Sequence, residues 1–153
     1  MSARLPVFAL FFLVSSFAFA GSDSGLVNVK SSHDVKTTAD RLENVLKSKG
    51  MKIFARVDHA AGAASVGNDL RPTELIIFGN PKIGSVLMGC TQSVGIDLPQ
   101  KALAWEDASG NVWLSYNDPA YLAKRHNISG CEAVLQKVTG ALGKFAAKAT
   151  SAD

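Results

Sequence analysis

Apolar positions along this chain change their period repeatedly, and each change marks an element. Val35, Ala39, Leu42, Val45 and Leu46 recur at helical spacing, while Lys36 with Asp40 and Glu43 with Lys47 pair at i,i+4 on the opposite face. Ser31 followed by Asp34 reads as a capping box opening this helix, and Gly50 as the residue that closes it. Ahead of it, Gly25 to Lys30 carries Leu26, Val27 and Val29 and predicts a short strand. Behind it, Met51 to Asp58 drops to a period of two, with Ile53, Ala55 and Val57 on one face and Phe54 and Arg56 on the other. The small-residue stretch His59 to Val66 predicts a short helix lying close to a sheet.

Thr73 to Phe78 holds four consecutive apolar residues, Leu75 to Phe78, the pattern of a strand covered on both faces, and Gly79-Asn80-Pro81 stops it. Ile83 to Cys90 predicts a short helix. Lys101 to Glu106 and Val112 to Tyr116, joined through Asp107-Ala108-Ser109-Gly110, form the clearest hairpin. Asp118-Pro119 is a cap followed by proline at the first helical position, so Ala120 to His126 is a short helix. Ser129 with Glu132 reads as a second capping box, opening a long helix whose inner face carries Val134, Leu135, Val138, Ala141, Leu142 and Phe145. A long helix near each end and four to six strands between them predict an α+β fold, with helices packed against a mostly antiparallel sheet.

Residues 1–20 change the picture of where the protein works. Arg4, an apolar run from Leu5 to Phe17 and Ala18-Phe19-Ala20 have the layout of a cleaved signal peptide, with an apolar core shorter than the roughly 20 residues of a membrane span. The expectation is a periplasmic or secreted domain, residues 21–153, with no stable membrane anchor after cleavage. Removal of Arg4 leaves 15 basic and 13 acidic side chains spread along the chain, too mild a surplus to predict a nucleic-acid partner.

The ordered motifs F-A-R-V-D-H-A-A-G-A-A (Phe54 to Ala64), F-G-N-P-K-I-G (Phe78 to Gly84), D-L-P-Q-K-A-L-A-W-E-D (Asp97 to Asp107) and Y-N-D-P-A-Y-L-A-K-R-H (Tyr116 to His126) resemble those of the bacterial family called domain of unknown function 302. The resemblance covers most of the segment after residue 20 and implies the same α+β unit, of a class grouped with TATA-binding-protein-like folds. It implies no activity. Gly89-Cys90-Thr91-Gln92 departs from the family pattern.

Candidate chemistry is sparse. Asp58, Arg71, Glu74, Asn80, Asp97, Glu106, Asn117, Asp118 and His126 all stand at turns, caps or strand ends, where local hydrogen bonding accounts for polar residues. His59 differs, because it follows a strand end among alanines and glycine and can bind a ligand or metal or move a proton. Asp58, His59 and Asn80 are therefore the candidate ligand-binding set, expected to converge where two strand ends open into turns. His59, Met88 and Cys90 are a weaker candidate metal or haem site, without the ligand spacing of a zinc motif. Cys90 and Cys131 can pair after export or remain two buried thiols. No G-x-S-x-G elbow or phosphate-cradling loop is present, no catalytic residue is assigned, and the identity of any cofactor is left open. The reading is a non-enzymatic binder of a small molecule or partner protein, with a redox protein and a disulfide-stapled interaction scaffold as alternatives.

Overall fold

The computed structural model describes residues 24–152, so the segment read as a signal peptide lies outside the described residues. Strands β1 (Leu26–Lys30), β2 (Lys52–Asp58), β3 (Thr73–Gly79), β4 (Gln100–Glu106) and β5 (Val112–Asn117) form one antiparallel sheet in the order β1-β5-β4-β3-β2. Helices α1 (Val35–Ser48) and α5 (Glu132–Thr150) pack on each other and on this sheet. The shorter helices are α2 (His59–Ala64), α3 (Pro81–Cys90) and α4 (Pro119–His126), and a 3₁₀ turn spans Gln92–Ile96. The α+β expectation, two long helices against an antiparallel sheet of four to six strands, holds.

Strand alternation decides which face is covered. Ile76 and Phe78 on β3, Ala102 and Ala104 on β4, and Leu114 and Tyr116 on β5 are buried in the main core with Val35, Ala39, Leu42 and Leu46 of α1 and Leu142, Ala146 and Ala149 of α5. The other face carries Leu75, Ile77, Leu103, Trp105 and Trp113, all half-buried. The run Leu75 to Phe78 is thus sealed fully on one side only, not on both as its composition suggested.

Strand β2 corrects the simple alternation. Ile53 pairs with Phe78 and Ala55 with Ile77, so Phe54 is the extra residue of a bulge and the strand changes face across it. Arg56 then points inward opposite Ile76, toward α1, whereas Ala55 and Val57 turn outward. Phe54 itself is exposed, with the Lys52 ammonium 4.9 Å from its ring centroid.

Two capping boxes are displaced for physical reasons. Ser31 donates its backbone N–H to Val112 O, continuing the sheet hydrogen bonding, so Asp34 is the cap of α1 and accepts from Thr37 N at 2.6 Å. Cys131, not Ser129, precedes α5, and the Glu132 carboxylate accepts from Gly130 N. At the far end of α5, Arg41 of α1 donates to the carbonyls of Lys148, Ala149 and Ser151, satisfying groups the helix leaves open.

Gly25 shows where glycine is required. Its φ is +72°, and a Cβ there would lie 2.3 Å from Tyr121 Cγ, whose ring covers it. Gly25→Ala is expected to destabilise by about 1–3 kcal/mol through overpacking and the left-handed backbone. A lower urea midpoint at unchanged slope checks this. An unchanged midpoint would mean that Tyr121 swings away freely.

Candidate functional site

Asn80 begins the construction of a cleft. Its side chain accepts from Lys82 N and Pro81 takes the first helical position, so the residues that stop β3 also start α3 and turn the chain across the sheet end. The helix begins two residues earlier than the apolar run at Ile83 suggested. Its far end is fixed covalently, because Cys90 is joined to Cys131 at the start of α5. Around this bridge Leu87, Val94 and Cys131 form a second buried cluster with Leu98, Ile128, Val134 and Leu135.

Between α3, α5 and the end of the sheet formed by the start of β2, the end of β3 and the start of β4 lies a cleft of about 520 Å³. This is within the range of ordinary small-molecule sites. Its walls are apolar: Ile83, Leu87 and Met88 from α3, Val138, Leu142 and Phe145 from α5, with Met51, Phe54, Phe78, Leu98 and Pro99 closing the rest. Phe54 reaches it because of the β2 bulge. Gly84 faces it with open space, the nearest atom to an added Cβ being Leu98 Cδ1 at 3.9 Å.

Few polar groups interrupt this lining. Asn80 is there, spending its oxygen on the helix cap, as are Ser85 and the exposed Lys137. The fourth is Gln100, 8% exposed, whose Oε1 is buried with no hydrogen-bond partner. The loop that presents Gln100 is held from both sides. Lys101 Nζ donates to the carbonyls of Asp97 and Pro99, and the Asp97 carboxylate meets His126 Nε2 at 2.6 Å and Arg125 at 3.4 Å. Ser93 Oγ lies 3.1 Å from His126 Nδ1, completing a serine, histidine and aspartate chain. None of the three lines the cleft. Their geometry fastens the end of α4 to the turn before β4, and that turn carries Leu98, Pro99 and Gln100.

The sequence candidates are divided by the register. Lys52 pairs with Gly79 and Asp58 with Glu74, so Asp58 and His59 leave β2 at one end of the sheet while Asn80 leaves β3 at the other. Roughly 20 Å of strand separates them, at about 3.4 Å per residue. The three do not converge. Asp58 caps α2, accepting from Ala61 N, and His59 is exposed on the first turn of that helix. The candidate metal set is also broken: Met88 lines the cleft, His59 does not, and the Cys90 sulfur is bound to Cys131. Among the described residues no group of three or more His, Cys, Asp or Glu side chains is placed to hold a metal ion. Asn80 and Met88 are the two candidates that reach the cleft. Gln100 and Lys137 also line the cleft and were not among the candidates; the L-P-Q motif was the available signal for Gln100, and no motif marks Lys137.

Elsewhere, Asp107 accepts from Ser109 N, Asn111 N and Trp113 Nε1, and these bonds, the indole first, hold its pKa down to about 2. It orders the β4–β5 hairpin, as its place before the turn suggested.

Comparison with known proteins bears on the fold and the family. The family described as domain of unknown function DUF302 matches residues 27–145. A crystal structure of an uncharacterised conserved DUF302 protein from Bacillus stearothermophilus superposes with a TM-score of 0.74 at 19% identity, covering 82% of this chain and 98% of that one. Proteins named fluoride-specific ion channel FluC 1 from Brucella suis biovar 1 (strain 1330) and Brucella abortus biovar 1 (strain 9-941) are each 54% identical over 129 residues. The match covers 82% of this chain but 51% and 48% of theirs, so the chain spans about half the length of these relatives.

Proposed function

Starting from a chain that belongs to the DUF302 family, for which membership itself specifies no activity, we propose a non-enzymatic binding protein that takes up a small apolar molecule in the cleft between α3 and α5. The carrying observation is the cleft's lining, apolar on every wall and shaped by a helix that is capped at one end and disulfide-linked at the other. Desolvating such walls with a matching apolar body supplies the driving force, at about 25 cal/mol per Å² buried. We place the protein in an exported compartment, on the signal-like residues 1–20.

Filling the cleft tests this. Gly84→Leu puts a side chain into the open space beside Leu98 and replaces a helical glycine by a better helix former, worth about 0.5–1 kcal/mol. The variant is expected to fold at least as stably as the parent and to lose uptake of an environment-sensitive apolar dye such as 1-anilinonaphthalene. Dye binding that survives the substitution unchanged would remove the cleft as the site.

A second reading comes from the half-length match to proteins named as fluoride channels. Among the described residues no helix is long and apolar enough to cross a membrane. We propose that a pore in those relatives lies in the half this chain does not match, and that the matched half is an accessory domain. We propose that the domain described here serves a channel in the same accessory way. Deleting its gene should lower the fluoride tolerance of the host, and unchanged tolerance would end this reading.

A further inference from the structure

We infer that the cleft end of this domain docks reversibly on the surface of an anionic lipid bilayer, from which the cleft's apolar ligand enters. The inference rests on the binding reading above and adds the source of the ligand.

The register gathers one end of the sheet beside the cleft. Leu26 pairs with Asn117, Ala102 with Tyr116, Phe78 with Gln100 and Lys52 with Gly79, so the starts of β1, β2 and β4 stand together with the ends of β3 and β5. The connection from β3 to β4, residues 80–99, leaves this end and returns to it, carrying α3 and the 3₁₀ turn. The chain also enters β1 here, so the apolar segment read as a signal peptide precedes the domain at its cleft end.

This connection is apolar outside as well as within. Val86 is 45% exposed and Ile96 74% exposed, and neither lines the cleft, so both face solvent rather than the cavity. Ile83 and Met88, which do line it, are exposed as well. Four exposed large apolar side chains in one connection, beside an apolar opening, form the kind of patch that marks an interaction surface.

Charge divides along the same axis. Asp58, Asp69, Glu74, Glu106 and Asp107 stand at the opposite end of the sheet, in β2–β3 and β4–β5 connections or at the strand ends beside them, with Lys30 and Arg71 among them. At the cleft end Lys49, Lys52, Lys82 and Lys137 are exposed and make no ion pair among the described residues. Carboxylates near them are already engaged: Asp97 by His126 and Arg125, Asp118 by Ala120 N, and Glu132 by Gly130 N. A mild net charge thus conceals a cationic end. Apolar and cationic groups side by side match a surface that is anionic above and apolar beneath, the two contributions that hold interfacial proteins to lipid. A molecule that fits an apolar cleft partitions into a bilayer through the same burial of apolar area, so the opening meets its source.

Flotation of the disulfide-intact protein with vesicles tests this, using phosphatidylcholine alone and phosphatidylcholine mixed with phosphatidylglycerol. The protein is expected to float with the mixed vesicles, less so as salt rises, and to stay behind with phosphatidylcholine alone. Lys49→Gln with Lys82→Gln should weaken association about 25-fold, at about fivefold for each cation held near an anionic surface. Val86→Ser with Ile96→Ser should weaken it at every salt concentration. Lys30→Gln, at the opposite end, should leave it unchanged. All five side chains are exposed and outside the cleft, so each variant should keep the parent's melting temperature and its uptake of 1-anilinonaphthalene in the absence of vesicles. No flotation with either vesicle, with dye uptake kept, would overturn the docking, leave an acidic protein as the occupant of the patch, and leave the cleft reading standing. A fivefold loss from Lys30→Gln would also overturn it, because net charge rather than the cleft end would then govern association. Failure of the parent protein to take up the dye would overturn both readings.

Discussion

Replacing Cys90 and Cys131 together by alanine is expected to lower the free energy of unfolding by about 4 kcal/mol and to weaken the proposed uptake into the cleft. The first effect follows from chain entropy: the two residues are 41 positions apart, and a bridge closing a loop of that size removes freedom from the unfolded chain worth about 4 kcal/mol. The second follows from position. Helix α3 forms one wall of the cleft, and the bridge joins its last residue to the residue before α5, which forms another. Without the bridge, the C-terminal end of α3 is held by Leu87 and its neighbours in the small second cluster, while Val86 and Met88 are already exposed. Urea denaturation of parent and double variant, with ligand titration at a urea concentration where both are folded, measures the two effects separately. A variant as stable as the parent would mean that burial around Leu87 and Val94 alone holds this corner. One that is destabilised yet binds normally would show that α3 keeps its place without the bridge. Reducing the bond in the parent protein should reproduce the stability loss.

What was legible in the sequence follows from the range over which each signal acts. Helix α1, the β4–β5 hairpin and the start of α4 are written in neighbouring residues: the Val35 to Leu46 stripe, Asp107 to Gly110, and Asp118-Pro119. Errors arise where a distant strand competes for the same group. Ser31 has the chemistry of a cap, yet its N–H extends the pairing with β5 and its hydroxyl is spent on His33 N and Thr38, so the helix starts later and the cap passes to Asp34. The bulge at Phe54 is invisible in composition, and it turns Arg56 inward and Val57 outward in a segment whose plain alternation assigns them oppositely.

The site was less legible than the fold for the same reason. Asp58-His59 and Asn80-Pro81 look alike locally, each a strand end passing into a helix, but antiparallel pairing of β2 with β3 sends these ends apart. Only register reveals this, and register is a long-range property. Gln100 draws no notice in sequence, since a glutamine after Pro99 is ordinary. It reaches the cleft wall because Lys101, Asp97, Arg125 and His126 fix the turn before it.

Arg56→Met is expected to cost about 2–3 kcal/mol and to blunt the loss of stability in acid. The guanidinium, 26% exposed, lies between three carboxylates: Asp40 at 2.6 Å and Glu43 at 3.2 Å on α1, and Glu74 on β3 at 2.6 Å from Nε. Burial opposes its charge, but the hydrogen bonds it donates to Asp40 and Glu74 outweigh this and keep it protonated. Methionine preserves most of the stem packing and leaves the carboxylates facing one another. Removing one partner of a fully buried pair costs about 3–5 kcal/mol, and the solvent access here places the effect below that range. The pH dependence has a definite sign. Asp40, bound first by Lys36 and then by Arg56, and Glu43, bound first by Lys47, are both held below their ordinary values of 3.8 and 4.5. Carboxylates whose folded pKa is depressed stabilise the fold fully above the unfolded values, and that stabilisation disappears as pH falls through the lower folded values. The parent should therefore lose stability steeply below about pH 4. The variant should lose less over the same interval, though not nothing, because Lys36 and Lys47 still hold two of the carboxylates. Urea midpoints from pH 7 to pH 2 test both statements. A loss at pH 7 under about 0.5 kcal/mol, the size of an ordinary surface pair, would show that water solvates the four groups as well in the folded state as in the unfolded one.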